Sequence, residues 1–174
     1  MEYIRSKKYE TKEWMSKIMG PNPIKLEEEL LSQCKIPKGA VVCDFGSGQG
    51  LTSVFLAKEY GFQVYAADLW SDPKENRAFF KEQGLRDEQV IPVKADATEL
   101  PFEKEFFDGI ISTDSYNYFG RDPKYLDEKL LAYSQTDAYP FHMPGHKRQS
   151  MGNWTGEAID ITEITGFDNL HHAE

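Results

Sequence analysis

An α/β fold, a parallel sheet with helices on both faces, is what this sequence predicts, and three observations predict it. Short apolar runs alternate with segments of about ten residues whose apolar positions recur at helical spacing. The first run enters a turn that holds three glycines, "DFGSGQG" (Asp44 to Gly50). The run after that ends on an acidic residue, Asp68. Strands alternating with helices imply right-handed βαβ units and a parallel sheet covered on both sides.

Each element follows in chain order. From Met1 to Met19 the sequence is charged and aromatic, and Tyr3, Tyr9, Trp14 and Met15 predict a short amphipathic lid or cap helix. "GPNP" (Gly20 to Pro23) breaks the chain. Ile24 to Gln33 then predicts a helix that carries three consecutive glutamates, Glu27 to Glu29, and ends before Pro37. Ala40 to Phe45 is a strand, Leu51 to Gly61 a helix, Gln63 to Asp68 a strand, and Lys74 to Gln83 a helix ended by Gly84. Gln89 to Asp96 and Phe106 to Ser112 are the third and fourth strands, followed by a helix from about Asp122 to Leu131. The expected sheet is incomplete, about four strands in the order 3-2-1-4, with an irregular C-terminal tail.

Composition narrows the function. With 174 residues the chain is about one domain. Its 40% hydrophobic and 13% aromatic content supplies material for a packed interior. The net charge of −9 argues against nucleic acid or an anionic membrane as partner, both of which need clustered Lys and Arg. No apolar run is long enough to cross a bilayer and no secretory start is present, so a cytoplasmic location is expected. Cys34 and Cys43 lack zinc-like spacing and are expected to stay reduced.

Between a strand and a helix, glycines let backbone approach a ligand closely and take dihedrals that a side chain would forbid. Asp68 stands eighteen residues after Gly50, where an acidic side chain can accept both hydroxyls of a ribose. A dinucleotide site, and with it an NAD-type oxidoreductase, would share this geometry, but its fingerprint is G-x-G-x-x-G. Here the spacing is G-x-G-x-G (Gly46, Gly48, Gly50), which favours a cofactor without a pyrophosphate.

"VVCDFGSGQG", Asp68 and "KADATELPF" (Lys94 to Phe102) together resemble the class I S-adenosylmethionine-dependent methyltransferases, over roughly residues 1–128. The resemblance implies a Rossmann-like sheet, S-adenosylmethionine as cofactor and a small-molecule methyl acceptor. It implies that Gly46, Gly48 and Gly50 line the methionine part and that Asp68 binds the ribose. Asp96 with Ala97 would meet the adenine edge, Leu69 or Trp70 would pack on its ring, and Asp44 would orient the amino group of the cofactor. The rival reading makes Asp68 and Asp96 strand-end turn residues and Trp70 a core aromatic.

Methyl transfer from a sulfonium needs no nucleophile motif, because the cofactor carries the reactive group and the protein positions it. "STDSYNYFG" (Ser112 to Gly120) follows the fourth strand, at the carboxyl ends of the sheet where ligands bind in open α/β folds. Asp114, Tyr116 and Asn117 are the candidates for acceptor contact or proton removal, and polar loop residues are the alternative. Tyr9, Trp14 and Met19 to Pro23 either close over the site as a lid or cover the sheet edge.

The texture changes near residue 130. Only three of the 20 Lys and Arg and six of the 29 Asp and Glu lie after residue 128, whereas all four histidines (His142, His146, His171, His172) do. "YPFHMPGHK" (Tyr139 to Lys147) and "DITEITGFDNLHH" (Asp160 to His172) resemble the beginning of the pyridoxal-phosphate domain of the ornithine, lysine and arginine decarboxylases, over roughly residues 129–174. That family's Schiff-base lysine would lie beyond this chain, so no pyridoxal-phosphate chemistry is expected, and Lys147 is not its counterpart. His142 and His146 are four apart, but Pro144 and Gly145 between them oppose a helical metal pair. A fourth strand left at an open edge leaves three outcomes: the tail pairs there, with Ala158 to Ile164 as the candidate strand, the chain forms a homodimer, or the tail is loosely ordered, and a mobile tail is the expectation. A non-catalytic fusion or assembly module is the rival from another class.

Overall fold

A computed structural model describes residues 3–18, 20–118, 122 and 124–139. The chain opens with a tight helical turn, Ser6–Tyr9, and a short helix α1, Lys12–Met15, whose first turn is capped by the Thr11 hydroxyl. Helix α2 (Pro23–Gln33) starts where the "GPNP" break predicts. Asn22 accepts the N–H groups of Ile24 and Lys25, and Pro23 takes the first helical position, which has no intrahelical acceptor to lose. Strand β1 (Val41–Phe45) leads through the glycine turn into α3 (Leu51–Phe55). That helix widens into a π-helical turn, Leu56–Tyr60, and stops at Gly61. Then come β2 (Gln63–Asp68), α4 (Pro73–Glu82, capped by Asp72), β3 (Val90–Lys94) and β4 (Phe107–Ile111).

The helix expected over Asp122 to Leu131 forms as a π-helical turn, Leu126–Leu130, followed by a tight turn, Leu131–Tyr133. The chain then enters β5 (Ser134–Tyr139), which pairs parallel with β4. The sheet is therefore five-stranded and parallel, in the order β3-β2-β1-β4-β5. This corrects the expectation of about four strands with β4 at an open edge. The physical reason is that unpaired N–H and C=O groups on β4 offer a template to any extended segment delivered alongside them. "SQTDAY" is too polar to announce a strand by its own pattern. The pairing is irregular, since Phe107 faces Ser134 while Gly109 faces Tyr139. Ala158 to Ile164 and the four histidines lie outside the described residues.

Two cores sit on opposite faces of the sheet, as strand alternation requires. Val42, Val64 and Ala66 pack with Ile24, Leu30, Val54, Phe55 and Phe80 from α2, α3 and α4. Cys43, Phe45 and Ala67 point the other way, onto Phe107, Ile110, Tyr125, Leu126 and Leu130. Asp44 shares the parity of Val42, so its carboxylate is directed at the α2 and α3 face.

The N-terminal segment is part of the first core. Trp14 is buried, with its ring 4.6 Å from Tyr9 and 5.9 Å from Phe79 of α4, and Tyr9 packs edge-on to Phe55 of α3. Two of the three consecutive glutamates hold this segment. Glu28 accepts the N–H groups of Arg5 and Ser6 at 2.9 and 2.7 Å, and Glu29 accepts the Tyr3 hydroxyl at 2.6 Å. Burial pushes the Glu28 carboxyl up, but the Ser6 and Arg5 bonds outweigh it and hold the group below its ordinary range. Among the described residues no helix is long and apolar enough to cross a membrane.

Candidate functional site

The site is assembled at the carboxyl ends of β1, β2 and β4, around the turn Gly46 to Gly50. That turn is tied to β2, the neighbouring strand. Ala67 C=O accepts the N–H of Gly46 at 2.8 Å and of Ser47 at 3.3 Å, and Asp68 Oδ2 accepts the N–H of Gly48 at 3.0 Å. From α4, the Asn76 side-chain amide donates to Gly48 C=O at 2.9 Å. Two glycines are required for different reasons. Gly48, at φ 53°, has no atom within 4 Å of where a Cβ would stand, so the backbone faces open space. Gly50, at φ 80°, is pressed by the Phe80 ring, which would lie 2.4 Å from a Cβ.

Asp68 is a strand-end turn residue that also braces the glycine turn. Besides Gly48, its Oδ1 accepts the N–H groups of Trp70 and Ser71, both at 2.7 Å, closing the turn after β2. Leu69 and Trp70 lie on the outer rim, and Trp70 is 87% exposed, so it is not a core aromatic. Asp96 is exposed and accepts the backbone N–H and hydroxyl of Thr98 at 2.8 and 2.7 Å, which hold its carboxyl below the ordinary range. Ala97 C=O accepts the Tyr125 hydroxyl at 2.6 Å.

Asp44 is the most confined of the expected residues. It is 1% exposed, and its Oδ2 accepts the hydroxyls of Ser53 and Thr52, at 2.5 and 2.7 Å, from the first turn of α3. Burial pushes its carboxyl up to about 6, against the pull of those two hydroxyls and with the charge of Asp68 adding to the rise. Cys43 beside it is buried and its thiol is pushed well up, so it packs as a hydrophobe and does not react.

On the β4 side, Asp114 is exposed and its backbone takes φ 54°, a left-handed value uncommon outside glycine. The N-terminal break reaches this point, since a Cβ on Gly20 would stand 3.2 Å from Asp114 Oδ2. Tyr116 is buried against Tyr125. Asn117 lies in the turn Tyr116–Tyr118, and its side chain is outside the described part. Ser115 ties this loop to β1 by donating to Phe45 C=O at 2.8 Å, so the two halves of the site are joined below the surface.

Two contributors escaped the sequence reading. Asn76 braces the glycine turn from α4, and Glu27 enters from α2. Glu27 is 0% exposed; Thr113 donates to its Oε1 at 3.3 Å, while its Oε2 has no hydrogen-bond partner among the described residues. Three glutamates in a row look alike in sequence, and only the helical rotation between them, about 100° per residue, sends Glu27 inward while Glu28 and Glu29 meet the N-terminal segment.

With this geometry in place, comparison with known proteins assigns the family. Residues 43–130 match the model of the methyltransferase domain family. The chain belongs to this family, as a class I S-adenosylmethionine-dependent methyltransferase domain. It is 34% identical over 93 residues to a sarcosine/dimethylglycine N-methyltransferase from Aphanothece halophytica, covering 53% of this chain and 33% of that protein. Curated relatives are matched over only about a third of their length, 33% and 30%.

Among solved structures, a protein from Methanococcus maripaludis described as an S-adenosylmethionine-dependent methyltransferase superposes with a TM-score of 0.55 at 24% identity, covering 67% of this chain and 52% of that one. A phosphoethanolamine N-methyltransferase from Haemonchus contortus, solved with phosphomonomethylethanolamine and S-adenosylhomocysteine, superposes with a TM-score of 0.51 at 26% identity, covering 61% and 24%. The residues here fit such a cofactor on structural grounds. The glycine backbone is bare where a ligand must approach, and both Ser47 Oγ and Glu27 Oε2 are buried without a hydrogen-bond partner among the described residues.

Proposed function

We propose that this chain supplies the S-adenosylmethionine-binding part of a methyltransferase that acts on a small molecule. The observation that carries the reading is the bare glycine turn clamped to Asp68, since it leaves open space beside Gly48 and a carboxylate at its lip. When bound, S-adenosylmethionine supplies an electrophilic methyl group. The protein's share is to hold two molecules in line and keep water out.

Gly46, Gly48 and Gly50 line the methionine part, and Asp44 orients its amino group from below. Asp68 keeps acceptor capacity on Oδ2, which takes a single N–H, and this supports its role toward the ribose hydroxyls. Asp96 and Ala97 meet the adenine edge, with Leu69 and Trp70 as the rim that folds over the ring. The exposure of Trp70 supports this, because an indole left in water gains by covering a ligand face. Asp114, Tyr116 and Asn117 face the methyl acceptor, and the left-handed backbone of Asp114 supports a functional constraint there. A small acceptor is supported by the net charge of −9 and by relatives named for sarcosine and dimethylglycine.

The division near residue 130 belongs to the same proposal: a methyltransferase part over 1–128, and over 129–174 a segment like the start of a decarboxylase pyridoxal-phosphate domain. Its support is that the family match ends at residue 130. The first strand of that segment, β5, closes onto β4 and supports a role in completing the sheet, in place of a homodimer through that edge.

Calorimetric titration tests the cofactor reading. S-adenosylmethionine and S-adenosylhomocysteine are expected to bind and NAD is not; absence of any adenosyl-ligand binding at millimolar concentration overturns it. Transfer of labelled methyl to sarcosine or dimethylglycine tests the acceptor class.

A further inference from the structure

Glu27 is a fully buried acid whose Oε2 has no hydrogen-bond partner among the described residues, and the nearby Asp44 is the residue that the cofactor reading assigns to the amino group of the ligand. Its neighbours come from three elements. Asp44 on β1 acts on it through its charge, Thr113 after β4 donates to its Oε1, and Tyr60, at the end of the π-helical turn that follows α3, senses both Glu27 and Glu28. Among the described residues, and apart from Arg5, whose guanidinium lies 4.4 Å over the Tyr60 ring, the charged groups acting on Asp44 and Tyr60 are acidic. Burying an acid beside another acid, with an oxygen left bare, disfavours its ionised form.

A buried carboxyl oxygen without a partner destabilises the fold, so it needs either a ligand or an explanation in packing. Packing does not call for an acid at this place. Ile24, Leu30 and Leu31 fill the same helix face with apolar groups. The ligand expected here has a cationic end, an α-ammonium, which would satisfy an acceptor that no described residue satisfies.

Resting on the S-adenosylmethionine reading, we propose that Glu27 and Asp44 form a carboxyl pair that recognises the ammonium of the cofactor, and that Glu27 gives up its proton as this cation is seated. The step balances: the Glu27 O–H bond breaks, the proton passes to buffer, and the resulting carboxylate is neutralised by the cation. Burial and the charge of Asp44 push the Glu27 carboxyl well up, whereas the Ser53 and Thr52 hydroxyls oppose the rise at Asp44, so of the two acids Glu27 is the one that disfavours ionisation.

The test is calorimetry of S-adenosylhomocysteine with the full chain, at one pH near neutral, in two buffers of different ionisation enthalpy. The difference in apparent enthalpy counts protons. Wild type is expected to release about one proton per ligand, and Glu27→Gln, which keeps shape but cannot ionise, to release close to none and to bind at least tenfold more weakly. Binding by wild type with no proton release overturns the proposal, and that arm needs no variant. Equal proton counts in wild type and Glu27→Gln also overturn it. No binding by wild type would instead defeat the cofactor reading itself, so the two failures are distinguishable.

Discussion

Gly50→Ala is expected to destabilise the chain by about 2–5 kcal/mol, the sum of two separable terms. Gly50 sits at φ 80°, where a side chain costs about 1–2 kcal/mol. An added Cβ would also stand 2.4 and 2.6 Å from two atoms of the Phe80 ring. That ring is buried in the core of α2, α3 and α4 and cannot swing out, so overpacking adds about 1–3 kcal/mol. Gly48→Ala is the control, since φ is again positive at 53° but the Cβ enters open space, leaving only the backbone term of about 1–2 kcal/mol. Urea unfolding followed by circular dichroism reads both midpoints at constant slope. A loss below about 1 kcal/mol for Gly50→Ala, or equal losses for the two variants, refutes the clash with Phe80. A double variant with Phe80→Leu should recover part of the Gly50→Ala loss, because the two residues touch and their effects are not additive.

Other predictions concern charge and packing. Asp44 is pushed up to about 6 from an ordinary 3.8, so between these values the folded chain holds a proton that the unfolded chain has lost. Stability should fall as pH rises from about 4 to 6 and stay low above, by an amount on the order of 2–3 kcal/mol. Asp44→Asn should flatten this part of the profile and raise stability at pH 8 while weakening cofactor binding; parallel profiles by urea unfolding would contradict it. Asp68→Ala removes the acceptor of three backbone N–H groups and should lower affinity for S-adenosylhomocysteine at least tenfold by calorimetry, and unchanged affinity would remove the ribose assignment. Trp14→Ala should cost about 3–5 kcal/mol of stability, as for any buried indole. A loss of ligand affinity with intact stability would mean instead that Trp14 acts as a lid.

Legibility followed range. The glycine turn, its flanking strand, and the acid at the end of β2 are local patterns that stand within one residue or so of where the sequence places them, and the helix expected over Leu51 to Gly61 is matched by α3 together with its π-helical turn, Leu56–Tyr60. Helix α2 is equally legible because its start rests on adjacent residues, Asn22 and Pro23. The fifth strand was not legible, because "SQTDAY" has no apolar alternation and takes its conformation from the edge of β4. Nor was the division of labour among Glu27, Glu28 and Glu29.

What the sequence determined by itself is the alternation of elements and the chemistry of the turn, since backbone freedom at Gly46 to Gly50 and the period of apolar residues are properties of neighbouring residues. Tertiary structure alone decided that Phe80 closes behind Gly50, that Asn76 reaches Gly48, and that Glu27 is enclosed beside Asp44. Those outcomes depend on how helices dock on a sheet, and docking is set by the summed burial of many side chains far apart in the chain.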